Sequence, residues 1–195
     1  MLAKMKEFSG DISKYIKKYK LYVLRDVAIF VIITLTVHYT YRYWANTLHY
    51  RPITVQMNRA HDEASRIVFN QSVWFIDHVL KIPVTTDESR TIHFEKNGFI
   101  TISEGCSGLK PILQFVLLML IFPGPWKHKA WFIPMGIVIV HLTNLFRITG
   151  LAVITVTIPQ YWEFAHDYLF RPFFYVVIFF LWVWWVEKFR KIIST

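Results

Sequence analysis

The chain has 195 residues, of which 54% are hydrophobic and 18% aromatic, and its mean hydropathy is +0.35. This composition lies outside the usual range of soluble domains and favours an integral membrane protein. The net charge of +9 would suit a nucleic-acid binder, but the basic residues cluster beside the apolar stretches. The charge pattern therefore argues against nucleic acid as a partner and indicates the lipid bilayer.

Four stretches are apolar enough to cross a bilayer, which takes about 20 residues each. Lysines and arginines gather before the first stretch, between the second and third, and after the last. Positive residues in short loops mark the cytoplasmic side, so both termini are predicted to be cytoplasmic in a multi-pass protein of the cell inner (cytoplasmic) membrane. We predict an all-α integral membrane protein, a single domain over 1–195, with transmembrane helices at about 21–40, 106–122, 130–156 and 170–186.

Two segments outside the spans have recognisable patterns. Residues 1–20 form a basic cytoplasmic tail, and 43–105 form the main extracytoplasmic segment. Within the latter, Met57 to Leu80 has apolar residues at helical spacing, which is typical of an amphipathic helix on the membrane surface. Asn97-Gly98, inside the run Thr91 to Ile102, predicts a small β-hairpin. The hairpin either offers an edge strand to an extended peptide or simply covers the helix ends.

Cys106 is the only cysteine, and it lies in the run Glu104-Gly105-Cys106-Ser107-Gly108 at the start of the second span. A lone cysteine cannot form an internal disulfide or supply a multi-cysteine metal site. It is a buried structural thiol, a palmitoylation site or a nucleophile. Unpaired N–H groups and the positive dipole end at a helix start favour a thiolate, so nucleophile is the preferred interpretation.

Arg147 interrupts the third span. It follows Ala130 by 17 residues, a rise of about 25 Å, which places it in the outer leaflet. An intramembrane arginine predicts a functional site that faces the protein interior, and the alternative is a side chain that snorkels to the interface. Asn144 and His141 precede it on roughly the same helical face.

A short outer loop, about 157–169, is predicted between the third and fourth spans and contains His166-Asp167. Cys106, Arg147 and His166 then reach one membrane face. Residue type alone does not identify the catalytic histidine, because other histidines lie outside or within a span: His38, His49, His61, His78, His93 and His141. A thiolate, a histidine and a fixed cation suit acyl transfer. No ligand spacing stands out, so neither a metal nor a cofactor is predicted.

These residues resemble the exosortase/archaeosortase family, which comprises membrane-embedded cysteine transpeptidases. The resemblance lies in Cys106-Ser107-Gly108 before a span, Asn144-Leu145-Phe146-Arg147 on the next span, and His166 before the following one. The similarity rests on the order of these three motifs, on their spacing and on the matching topology, taken together. Two features depart from the family: many members have about twice as many spans, and Gly105 stands where alanine is common.

The resemblance implies cleavage of membrane-anchored proteins near a C-terminal signal composed of a short motif, a helix and a basic tail. A thioester acyl-enzyme would then pass the product to an acceptor, such as an envelope lipid or glycan. It implies that Cys106 is the nucleophile, Arg147 the electrostatic stabiliser and His166 the general acid/base. Six residues are expected in substrate-binding or supporting roles: Asn144, Ser107, Gly108, Glu104, His141 and Asp167. The alternatives are a membrane cysteine protease that only hydrolyses, and a non-enzymatic membrane scaffold.

Overall fold

The computed structural model describes residues 21–47, 51–95 and 98–193. The basic tail at 1–20 and Asn97 of the predicted turn lie outside the described residues. The described chain is mostly helical and contains one small sheet. The principal helices are α1 (Leu21–Thr47), α2 (Arg51–His78), α3 (Leu109–Ile121), α4 (Trp126–Thr157) and α5 (Arg171–Ile193). The strands are β1 (Val84–Thr86), β2 (Thr91–Phe94) and β3 (Phe99–Thr101).

The chain divides into two compact units, the first ending at Leu48 and the second starting at His49. The described part of the first unit is helix α1, which carries Arg25 and Asp26 near its start. Arg25 Nη2 lies 2.9 Å from Asp26 Oδ1, so these two charges pair within the helix. The second unit holds α2 to α5 and the sheet, and it contains every predicted site residue.

Two described helical segments are long and apolar enough to cross a bilayer, namely α4 and Pro159–Phe189. Helix α3 is apolar but has only 13 residues. At 1.5 Å per residue it is about 20 Å long, shorter than the hydrocarbon core of about 30 Å. It also begins at Leu109, three residues after the predicted start of the second span. Four spans therefore stay a prediction.

The fourth helical region differs from the sequence prediction in one respect. A short outer loop was predicted over about 157–169, but the described chain is helical through most of this stretch. It forms a 3₁₀ turn at Pro159–Tyr161, a helical turn at Trp162–Phe164 and a π-helix at Ala165–Phe170, which continues into α5. The loop prediction was wrong because the polar pair His166-Asp167 interrupts the apolar pattern without breaking the helix. π-Helical turns are rare and are often found at functional sites.

The sheet is a three-stranded antiparallel meander in the order β1-β2-β3. Strands β2 and β3 confirm the predicted pairing, with Ile92 opposite Ile100, and both side chains are buried. Strand β1 was not predicted, because a three-residue strand directly after Pro83 is too short to show an alternating pattern. The sheet therefore has one strand more than the expected hairpin.

Helix α2 confirms the predicted amphipathic helix, but only part of its apolar face is buried. Val68 is buried, whereas the side chains of Ile67, Trp74 and Phe75 are exposed. The buried positions recur at helical spacing: Ser65, Val68, Ser72 and Ile76. Small serines on this face let α2 approach its neighbours closely, and such residues do not contribute to a hydrophobic pattern.

The apolar core lies between α2, the sheet and the second half of α4. Its buried members are Val68, Ile76, Ile92, Phe94, Ile100, Ile102, Ile148, Leu151, Ala152, Ala165 and Phe170, and Cys106 packs against it. A second, aromatic cluster joins α3, α4 and α5 around Phe132, whose ring centroid is 5.0 Å from that of Trp185. The first core forms a rigid base for the turn that carries Cys106.

Candidate active site

Cys106 ends a 3₁₀ turn, Glu104–Cys106, and precedes the start of α3 by three residues. Its backbone N–H donates to Ser103 O at 2.9 Å, and its sulfur is 3.9 Å from Ser103 Oγ. The cysteine is half-buried. Gly108, at the start of α3, has φ +72°, a left-handed conformation that glycine adopts at little cost. The turn therefore holds the thiol beside the positive end of α3.

Asn144 joins this turn to α4. Its Nδ2 donates a hydrogen bond of 2.7 Å to the carbonyl oxygen of Cys106. The Asn144 side chain is fully buried and lies against Gly108, where a Cβ atom would meet Nδ2 at 2.8 Å. Asn144 Oδ1 has no partner among the described residues. Because Asn144 is fully buried, its contribution is to hold the backbone of the Cys106 turn.

One turn further along α4, Arg147 meets His166. Arg147 Nη2 lies 2.8 Å from His166 Nε2, and His166 Nδ1 lies 2.7 Å from Asp167 Oδ1. Because a guanidinium only donates, His166 Nε2 must be the acceptor and Nδ1 must carry the proton that Asp167 accepts. The indole of Trp162 stacks on the imidazole with a centroid distance of 4.9 Å and an interplanar angle of 7°. The imidazole of His166 is therefore held by Arg147, Asp167 and Trp162.

The Arg147 guanidinium also interacts electrostatically with Cys106 and Asp167. Its Nε is buried and has no hydrogen-bond partner within the described part of the chain. The Nη2 group of Arg147 thus bonds His166, while its Nε–H has no acceptor among the described residues. Side chains from α4 and the π-helix thus meet at this arginine, and Cys106 is near enough to interact with its charge.

The comparisons with known proteins give the family of the chain. A family model described as transmembrane exosortase (Exosortase_EpsH) matches residues 27–185 of the 195 residues. The chain belongs to the transmembrane exosortase family. No curated protein and no solved structure matches it. This exosortase is accordingly a membrane protein, and the match contains Cys106, Arg147 and His166.

The remaining predicted residues of the exosortase site divide into two groups. Ser107, Gly108, Asn144 and Asp167 lie in the network around Cys106 and His166. His141 instead faces α2, where its Nε2 is 2.7 Å from Gln71 Oε1. The backbone of Glu104 begins the 3₁₀ turn, and its side chain lies outside the described part. No three His, Cys, Asp or Glu side chains within the described residues come together as metal ligands would.

Sequence reasoning missed three polar contacts at the exosortase turn. His61 Nδ1 lies 2.9 Å from Ser107 Oγ. Ser65 donates to Ser103 O at 3.4 Å, and Ser103 Oγ approaches the Cys106 sulfur. The spacing of His61 and Ser65, one helical turn apart on α2, was the available signal. It was obscured because the buried face of α2 was predicted from its apolar residues alone.

An apolar groove of about 760 Å³ lies between α2 and α4 of the exosortase. Trp74, Phe75, Leu142 and Phe146 are among the residues that line it. The hydrogen-bonded pair Gln71–His141 links the same two helices.

Proposed function

We propose that the protein is a membrane cysteine transpeptidase in which Cys106 is the nucleophile, Arg147 the electrostatic stabiliser and His166 the general acid/base. The observation that carries this proposal is Arg147, which bonds His166 at 2.8 Å and interacts electrostatically with Cys106. These groups come from separate parts of the sequence. A nucleophile, a proton carrier and a fixed cation at one place are what acyl transfer requires.

The first step is attack of the Cys106 sulfur on a substrate carbonyl carbon. The C–S bond forms, and the C=O π electrons move to oxygen, where the Arg147 donors stabilise the negative charge. The thiol proton passes to His166 Nε2. Since Nε2 accepts from Arg147 in the described state, the guanidinium must turn toward the substrate oxygen before this proton transfer. Substrate binding thus leaves His166 Nε2 free to accept the thiol proton.

The second step breaks the C–N bond and leaves a thioester on Cys106. His166 returns its proton from Nε2 to the departing amine, which avoids expulsion of an amide anion. Asp167 stabilises the imidazolium through the 2.7 Å contact to Nδ1. An acceptor amine or hydroxyl then attacks the thioester, gives its proton to His166 and releases the thiol. Water in place of the acceptor gives simple hydrolysis.

Asn144 supports the reaction by fixing the turn of the nucleophile, since its Nδ2 donates to the Cys106 carbonyl. We place the site on the extracytoplasmic face of a four-span chain with both termini in the cytoplasm. The proposed substrates are membrane proteins with a C-terminal motif, helix and basic tail. The apolar groove beside α4 supports an apolar substrate segment.

The test is mass spectrometry of membrane-protein C-terminal peptides from the native host, comparing the wild type with Cys106→Ala. We expect a set of proteins to retain C-terminal helices only in the variant. An added acceptor mass on the wild-type product indicates transfer, whereas added water indicates a protease that only hydrolyses. Matching profiles, with both forms inserted in equal amounts, would contradict the enzyme and favour a scaffold.

A further inference from the structure

Helix α2 holds the cysteine turn on both sides of Cys106. His61 Nδ1 is 2.9 Å from Ser107 Oγ, on the C-terminal side of the cysteine. Ser65, one helical turn further along α2, donates to Ser103 O at 3.4 Å on the N-terminal side. Ser65 is fully buried, and its single hydroxyl proton is shared between the His61 carbonyl, at 2.6 Å, and the more distant Ser103 carbonyl.

The Ser107 hydroxyl links this contact to α3. It accepts the backbone N–H of Leu109, the first residue of the helix, at 3.3 Å. Ser107 is only 2% exposed, so water does not readily replace either partner. The position of this hydroxyl therefore sets how the residue before it, Cys106, stands relative to the start of α3.

Two helices thus fix the cysteine from different sides. Asn144 on α4 holds the Cys106 carbonyl at 2.7 Å, and His61 on α2 holds the adjacent Ser107. His166 does not contact this turn through a described hydrogen bond; its Nε2 bonds Arg147 instead. The two histidines of the site therefore have separable roles.

We propose that His61 is a positioning residue for Cys106, acting through the Ser107 hydroxyl to keep the thiol at the positive end of α3. It acts on the backbone of the turn, while His166 carries the proton. The inference rests on the proposed function only in that the thiol is the group that attacks the substrate. The geometry of the turn itself does not depend on which acceptor the enzyme uses.

The test combines a substrate-independent readout with a kinetic one on the full-length protein in detergent. Cys106 is the only cysteine, so iodoacetamide alkylation reports on this thiol alone. His61→Ala releases the turn, so that the sulfur no longer keeps its place beside the N–H groups at the start of α3, and we expect alkylation to slow about fivefold. Substrate processing should lose about tenfold in kcat with KM unchanged, because orientation and not binding is impaired.

Three further variants make the test specific. Ser107→Ala should slow alkylation at least as much as His61→Ala, because it also loses the contact with the Leu109 N–H. The double variant should be no slower than Ser107→Ala alone, since the contact between His61 and Ser107 is already absent from it. His61→Asn, whose amide reaches the position of Nδ1, should restore much of the rate and also serves if His61→Ala fails to insert. His78→Ala is the matched control on α2, because His78 is exposed and bonds Trp74 O.

The outcomes separate the two proposals. An unchanged or faster alkylation rate in His61→Ala, or additive effects of His61→Ala and Ser107→Ala, would overturn the positioning role. A raised KM with normal kcat would do so as well. If alkylation follows the expected pattern but no substrate is processed by the wild type, His61 positions Cys106 while the transpeptidase proposal fails.

Discussion

Arg147 donates a hydrogen bond of 2.8 Å to His166, across 19 residues of sequence. Because arginine has no acceptor, this bond fixes the histidine as the tautomer protonated on Nδ1. Asp167 accepts that Nδ1 proton at 2.7 Å. In the proposed mechanism, His166 Nε2 therefore accepts a proton only after the guanidinium has moved away.

The contact between Arg147 and His166 predicts that substitutions at Arg147 slow the reaction to different degrees. Arg147→Ala removes both the stabilising charge and the partner of His166, and we expect kcat to fall about 10²–10³-fold. Arg147→Lys keeps the charge but loses the fork that can face substrate and histidine together, so its loss should be smaller. Single-turnover kinetics of thioester formation measures both.

The control for this series is Arg66→Ala, an exposed arginine of α2 that pairs with Glu63. It should process substrate at the wild-type rate, because exposed ion pairs contribute little. Near-normal thioester formation by both Arg147 variants would show that no cation is needed at this position.

Two glycines flank the cysteine and should respond differently to alanine. Gly108 has φ +72°, and its added Cβ would meet Asn144 Nδ2 at 2.8 Å. Gly108→Ala should displace Asn144 from the Cys106 carbonyl and lower processing about tenfold or more. Gly105→Ala should be tolerated, because its Cβ would lie 3.6 Å from Ser103 Oγ, an ordinary contact.

The paired glycine variants are compared by processing rate after equal membrane insertion has been verified. Equal rates for Gly108→Ala and Gly105→Ala would mean that the approach of Asn144 to the turn has no effect on the reaction.

Lys129 is buried and completes the end of α3. Its Nζ donates to Leu120 O at 3.0 Å and to Phe122 O at 2.8 Å, and lies 4.6 Å from the centre of the Trp126 ring. Lys129→Met leaves these carbonyls without their donor and should lower the free energy of unfolding by about 2 kcal/mol.

Thermal unfolding in detergent measures this effect, with Lys127→Met as the matched control. Lys127 is exposed two residues earlier and should change the midpoint little. If the two variants have the same unfolding midpoint, the buried Lys129 does not stabilise the turn between α3 and α4.

Asp87 predicts a pH dependence for the sheet that leads to Cys106. Hydrogen bonds from the Ser89 hydroxyl, His93 and the Thr91 N–H hold the pKa of Asp87 well below its ordinary value of 3.8. A lowered carboxyl pKa stabilises the folded state above that ordinary value, and the stabilisation is lost as the pH falls below it. Asp87→Asn should therefore be less stable than the wild type at pH 7, with the difference shrinking in acid.

Limited proteolysis of the sheet at about pH 7 and about pH 3 follows this change, since the wild-type advantage should be smaller at the lower pH. Glu88→Gln, an exposed neighbour, serves as the control. A wild-type advantage that is the same at both pH values would contradict the role of the Asp87 carboxylate.

The site residues illustrate which signals a sequence carries. Cys106, Arg147 and His166 were predicted because each is chemically unusual in its setting, and the structure brings Arg147 into contact with His166 and into electrostatic interaction with Cys106. His61 was not singled out, because its importance comes from a hydrogen bond across 46 residues. His141 shared a helical face with Asn144 by spacing, yet its partner lies on α2.

The amino-acid sequence by itself determined the helical membrane class, the pairing of β2 with β3, and the reactive groups available, because these follow from hydropathy, turn chemistry and residue type. Only the tertiary structure decided the tautomer of His166, the buried face of α2 and the contacts of Lys129. These depend on hydrogen bonds between atoms distant in sequence. The spacing of apolar residues along the chain gives no information about such contacts.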